Sequence, residues 1–125
     1  MLTVIKQEMD ILEVNYEPME WTSKTIPSDG YWVGEWTEVP TLTEDGKEEY
    51  TFILTGTTRG EWSDLEADKD RIKEHFPSVG GFRCQKDNGD VIIVFFNGSF
   101  PVPTGEMGLK RMQINLDVMV WKGMN

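Results

Sequence analysis

Between Lys110 and Lys122 apolar and polar side chains change places at nearly every residue: Met112, Ile114, Leu116, Val118 and Val120 alternate with Arg111, Gln113, Asn115, Asp117 and Met119. A period of two sorts these residues onto opposite faces of a pleated strand, whereas a helix would mix them. A strand of that length belongs inside a sheet, because as an exposed edge it would recruit other chains. The Met/Ile/Leu/Val/Val face is therefore expected to be the spine of the core. The opposite face, which ends in Trp121, needs its own explanation.

The same reading along the chain predicts the remaining elements. Leu2, Ile5, Met9 and Leu12 recur at helical spacing, which gives a short amphipathic helix that needs a surface to cover. Leu12, Val14 and Tyr16 alternate with Glu13 and Asn15 and read as extended up to Pro18, and Glu17 to Gly30, with Pro18, Pro27 and Asp29-Gly30, reads as an irregular connection. Tyr31 to Val39 and Tyr50 to Thr57 are rich in aromatic and β-branched residues around the turn residues Thr43 to Lys47, a hairpin pattern. Pro40 weakens the ladder there, having no N–H to give. Ser63-Asp64-Leu65-Glu66 has the form of a capping box opening a helix to Phe76, with Leu65, Ile72 and Phe76 on one side and Pro77 as the stop. Phe82 to Lys86 and Val91 to Phe96 flank Asp87-Asn88-Gly89-Asp90, a second hairpin. Val91 to Phe96 is apolar on both faces, which predicts a strand in the middle of the sheet with cover on each side. Asn97 to Gly108 is expected to be a long loop. The fold class that results is α+β, a mostly antiparallel β-sheet with one central helix and a short N-terminal helix packed on it. Residues 1–125 are read as one domain, with 1–30 as helix and irregular connection and 31–123 as the αβ core.

Composition narrows the functions. The 125 residues suit one core, and the lone Cys84 has no partner for an intrachain disulfide, which fits a reducing compartment. Met1 to Asp10 interrupts its apolar residues with Lys6, Glu8 and Asp10, unlike a signal peptide, and no apolar stretch is long enough to span a membrane. Twelve basic against 22 acidic side chains leave a net charge of −10, which opposes binding to a phosphate backbone and favours solubility. Sequence-specific nucleic-acid binding and membrane association are not expected.

Catalytic chemistry finds little purchase. His75 lacks a nucleophile and an orienting carboxylate in its local sequence, and Cys84 on a strand reads as a packed thiol. Asp87, Asn88 and Asp90 lack the spacing of a calcium loop and are explained by the turn. No phosphate-binding glycine loop occurs, and no catalytic residue, cofactor or metal site is expected. The aromatic content stands out instead. Five tryptophans, Trp21, Trp32, Trp36, Trp62 and Trp121, exceed what one small core readily hides. Trp32, Trp36 and Trp121, with Phe100 from the predicted loop, are the expected residues of a subunit interface.

The order of elements, with Tyr31-Trp32-Val33-Gly34-Glu35, Glu44-Asp45-Gly46, the run Leu54 to Gly60 and the closing Leu109-Lys110-Arg111 to Trp121-Lys122-Gly123, resembles the tail-terminator and tail-completion proteins of long-tailed phages and prophages. The resemblance spans about Gly30 to Gly123. It implies a non-enzymatic α+β subunit of a homo-oligomeric ring, commonly a hexamer, that stops tail-tube growth and provides the joining surface for the head. Its partners would be itself and the tail-tube and head-completion proteins, and its location the cytoplasm during assembly and then the virion tail. The rival reading is an acidic monomeric binding or inhibitor protein, a DNA mimic or host-takeover factor, whose acids should line one face. A small hydrolase built on His75 is the third.

Overall fold

The computed structural model describes residues 2–18, 30–39, 47–85 and 89–121. In chain order these form α1 (Leu2–Ile11), β1 (Tyr16–Pro18), β2 (Tyr31–Val39), β3 (Lys47–Thr58), α2 (Trp62–His75), β4 (Phe82–Gln85), β5 (Val91–Val102) and β6 (Lys110–Trp121). The strands make one six-stranded sheet in the order β1-β2-β3-β6-β5-β4. Every neighbouring pair is antiparallel except β1 with β2. The α+β class holds, with α2 as the longer helix on the sheet and α1 as the short N-terminal one. Thr43 to Gly46 of the first expected turn, most of the Glu17 to Gly30 connection, Pro40, Trp21 and the Asp87-Asn88 half of the second turn lie outside the described residues, and Lys47 already belongs to β3.

β6 is the central strand its alternation predicts. It pairs along its whole length with β3 on one side and, through Val91 to Val102, with β5 on the other. Met112, Ile114, Leu116, Val118 and Val120 are all buried, as are Phe52 and Leu54 of β3 and Ile92, Val94 and Phe96 of β5 on the same face. Helix α2 packs over β3 and β6 through Leu65 and Ile72, and Phe76 beyond its end joins the same core, while α1 adds Val4, Ile5 and Met9.

Local chemistry explains the boundaries that differ from expectation. Helix α2 begins at Trp62 rather than at a Ser63 cap: Glu61 is extended and its N–H donates to the Asp64 carboxylate at 3.2 Å, so an acid at the third helical position satisfies an otherwise orphaned donor. Leu12 and Glu13 are not extended but close α1. The Val14 N–H donates to the Met9 carbonyl and the Glu13 N–H to the Asp10 carbonyl, with Glu13 left-handed at φ 59°, the arrangement of a Schellman motif with glutamate where glycine is usual. The predicted loop Asn97 to Gly108 is strand as far as Val102, with a bulge between Phe96 and Gly98. Pro101 fits there because β4 pairs only with Val91 to Val94, so the far half of β5 is a sheet edge that demands no second ladder.

Candidate interaction surface

The two faces of the sheet differ in what covers them. Both helices lie on the Leu116 face. On the other, paired residues form rows across the strands: Val91 beside Trp121, Ile93 beside Met119, Phe95 beside Asp117, then Asn115 beside Ile53, and Gln113 beside Thr55 and Val33. All of these are partly exposed. The apolar members concentrate where β5 and β6 meet, and no helix among the described residues crosses them. Val91, Ile93, Trp121 and Arg83 line an apolar depression of about 260 Å³. Gly81, at φ +68°, brings the turn before β4 close over this corner: a Cβ there would lie 2.8 Å from both Ile93 and Phe95. The cover expected on both faces of Val91 to Phe96 is therefore present on one, and on the other only the Gly81 turn reaches the strand among the described residues.

The sheet edges are equally uneven. β1 pairs with Trp32 to Gly34 alone, which leaves Glu35–Val39 of β2 with a partner on one side only. β4 pairs with Val91 to Val94 alone, which leaves Asn97–Val102 of β5 in the same position at the opposite edge. Both statements refer to the described residues.

The expected contact residues do not gather in one place. Trp32 is fully buried and its indole N–H donates to the Asp68 carboxylate at 3.0 Å, so its assignment to an interface is corrected: it anchors β2 to α2. Glycine opposite it makes the room, since a Cβ on Gly56 would lie 2.7 Å from the Trp32 ring. Trp36 is 38% exposed on the open part of β2 and Phe100 is 45% exposed on the open part of β5, at opposite edges of the sheet. Trp121 is partly exposed on the face without helices. Trp62, 40% exposed, starts α2.

His75 acquires a partner that its local sequence did not reveal. The Glu8 carboxylate of α1 lies 2.7 Å from His75 Nε2, and the imidazole stacks on Phe82 and meets Phe76 edge-on. With Arg71, which donates to the Leu12 carbonyl at 2.9 Å and pairs with Asp68, this ties α1 to α2. The depression beside it, lined by Leu12, Arg71, Glu74 and His75, offers no hydroxyl or thiol for the imidazole to activate. Cys84 sits on the helix-covered side of β4 against the core. Among the described residues no three His, Cys, Asp or Glu side chains group as metal ligands, and no helix is long and apolar enough to cross a membrane.

No protein-family model matches the chain, and a search of curated proteins finds no match either.

Proposed function

We propose that this chain is a structural phage or prophage tail protein, a ring subunit that ends the tail tube and joins it to the head. The observation that carries the reading is the helix-free face of the sheet, where Val91, Ile93, Phe95, Met119 and Trp121 form a partly exposed apolar corner of the kind that marks protein–protein contact. The resemblance in element order supplies the class of assembly. Charge adds a constraint. At net −10, copies of the chain repel unless their contact patches are poor in acids. The open stretch Asn97 to Val102 carries no charged residue. Carboxylates left on the outside or in the lumen would keep passing DNA from adhering to the wall.

The acidic-mimic reading draws less from the geometry. On α2 the acids are interleaved with cations, Glu66 with Lys69 at 2.6 Å and Asp68 with Arg71, rather than ranked like phosphates along a strand. The deciding experiment is electron microscopy of tails assembled with and without the protein. Overlong or head-incompetent tails in its absence are the expected result, and normal tails that join heads would dispose of the reading.

A further inference from the structure

The outer side of β5 changes partner along its length. β4 covers it only from Val91 to Val94. One step further the segment after α2 takes over: the Phe96 N–H donates to the Phe76 carbonyl at 2.8 Å, and the Ser78 hydroxyl donates to the Phe96 carbonyl at 2.8 Å. From Gly98 to Val102 no strand among the described residues lies on that side. A strand added there would meet Phe76 to Ser78 at its upper end and could go no further. If it ran antiparallel to β5, as β4 does, that end would be its C-terminus.

The upper end of this slot opens into a cavity of about 430 Å³ that wraps round the bulge of β5 from one face of the sheet to the other. On the helix-covered side Lys73 of α2 lines it, with its ammonium 5.7 Å from the centre of the Phe96 ring, and Asn97 adds an amide. On the helix-free side the cavity passes over Gly98, where a Cβ would meet nothing within 4 Å, to Phe95, Met119 and Asp117. Neither Lys73 nor Asp117 has an ion-pair partner among the described residues. The slot therefore offers a cation at its closed end and, across an apolar gap, an anion.

We propose that this slot binds the C-terminal strand of a partner protein, a different chain that ends in arginine or lysine with a free carboxylate. The last residue of that strand lies opposite Gly98. Its carboxylate meets the Lys73 ammonium and the Asn97 amide, while its side chain crosses Gly98, with the stem against Phe95 and Met119 and the charged head at Asp117. Paired residues share a face, so the third residue from the end packs beside Phe100, and its neighbours opposite Ser99 and Pro101 turn to the helix-covered side. A parallel strand would bring its N-terminal ammonium to Lys73 and be repelled. A second copy does not fit edge-on, because the β1 or β4 beside its incoming edge would run into the Pro103 to Gly108 segment below Val102. A single extended segment has no such neighbour, and adding it to a sheet edge uses main-chain pairing for affinity and the cavity for selectivity. The proposal goes beyond the ring reading and does not depend on it.

The probe is the fluorescein-labelled peptide Thr-Val-Thr-Tyr-Thr-Arg with a free C-terminus, titrated into the full chain and followed by fluorescence anisotropy and by NMR amide shifts. Saturable binding is expected below about millimolar peptide, with the largest shifts at Gly98 to Phe100. Amidating the peptide should weaken binding about tenfold or more, as should Lys73→Met, which keeps an apolar stem on Phe96. In Lys73→Met, amidation should then cost little further, because both changes remove the same contact. Asp117→Asn should weaken the arginine peptide several-fold and leave an otherwise identical peptide ending in glutamine unchanged. No saturation, equal affinity for acid and amide, or shifts confined to Ile93 and Met119 would overturn the proposal. Shifts at Gly98 to Phe100 that grow with protein concentration alone would also overturn it, by giving the slot to a second copy. The tail-length experiment decides the ring reading separately.

Discussion

Two buried polar groups show how single residues set the stability of this chain. Asp68 is 7% exposed yet carries a carboxylate, which is tolerable because it accepts from the Trp32 indole and pairs with Arg71. Asp68→Ala would leave the indole N–H of a fully buried ring without an acceptor, at a cost of about 2 kcal/mol, whereas Asp68→Asn keeps an acceptor and should lose less. Urea unfolding of the two variants checks the order. Tyr16 presents the opposite case: it is buried, and its hydroxyl finds no hydrogen-bond partner among the described residues. Burial pushes the phenol pKa up, since a phenolate there would be stripped of water. Above about pH 10 the unfolded chain gives up this proton while the native chain retains it, so the native state binds more protons and stability falls as pH rises. Tyr16→Phe should abolish that part of the alkaline loss. It should also raise stability at neutral pH by about 1 kcal/mol, because an unpaired buried hydroxyl is removed. Unfolding curves at pH 7 and pH 10.5 would contradict this account if the two proteins lost stability equally.

Element by element, what the sequence reveals depends on how local the cause is. The alternation of Met112 to Val120 determines a face whatever its neighbours are, and all five residues are buried beneath the helices. Leu116→Ala should accordingly cost about 2–5 kcal/mol in denaturant unfolding. Gly56→Ala tests the neighbouring strand: its methyl group would meet the Trp32 ring at 2.7 Å, and overpacking there should cost about 1–3 kcal/mol, read as a lower urea midpoint. The close approach of Gly56 to Trp32 is set by pairing across 24 residues, which no local pattern encodes. The same holds for Glu8 and His75, 67 positions apart, and for Trp32, whose burial depends on the acceptor Asp68 on another element. The misplaced helix start has a different origin: Ser63 is the better N-cap by residue type, but the Asp64 carboxylate reaches back to the Glu61 N–H and the helix opens after Glu61. For β5, glycines and prolines in Asn97 to Gly108 read as a loop. They are instead the bulge and edge of a strand, where those residues are permitted. Of the contact residues, Trp36 and Phe100 were legible as aromatic excess, while the apolar corner around Ile93 and Met119 was announced only by the two-sided hydrophobicity of Val91 to Phe96.

At the scale of the whole molecule, the sheet is asymmetric in a way that a self-sufficient monomer does not require. Helices bury one face, the other keeps an apolar corner partly exposed, and each edge has a stretch paired on one side only among the described residues. A chain with net charge −10 that needed only solubility could place acids at these positions, yet the Asn97 to Val102 edge has none and Phe100 stands 45% exposed on it. Phe100→Asp separates folding from assembly. With Phe100 about half covered, the substitution should cost about 1–2 kcal/mol of unfolding free energy and leave the subunit folded. A carboxylate there would have to be desolvated between two acidic subunits, so copies of the variant should fail to associate and tails assembled with it should run past their normal length or fail to join heads. Trp121→Asp, on the helix-free face, probes the second surface in the same way. Light scattering at high protein concentration and electron microscopy of assembled tails read the outcome. If both variants fold and still terminate tails normally, neither the β5 edge nor the apolar corner is a contact surface.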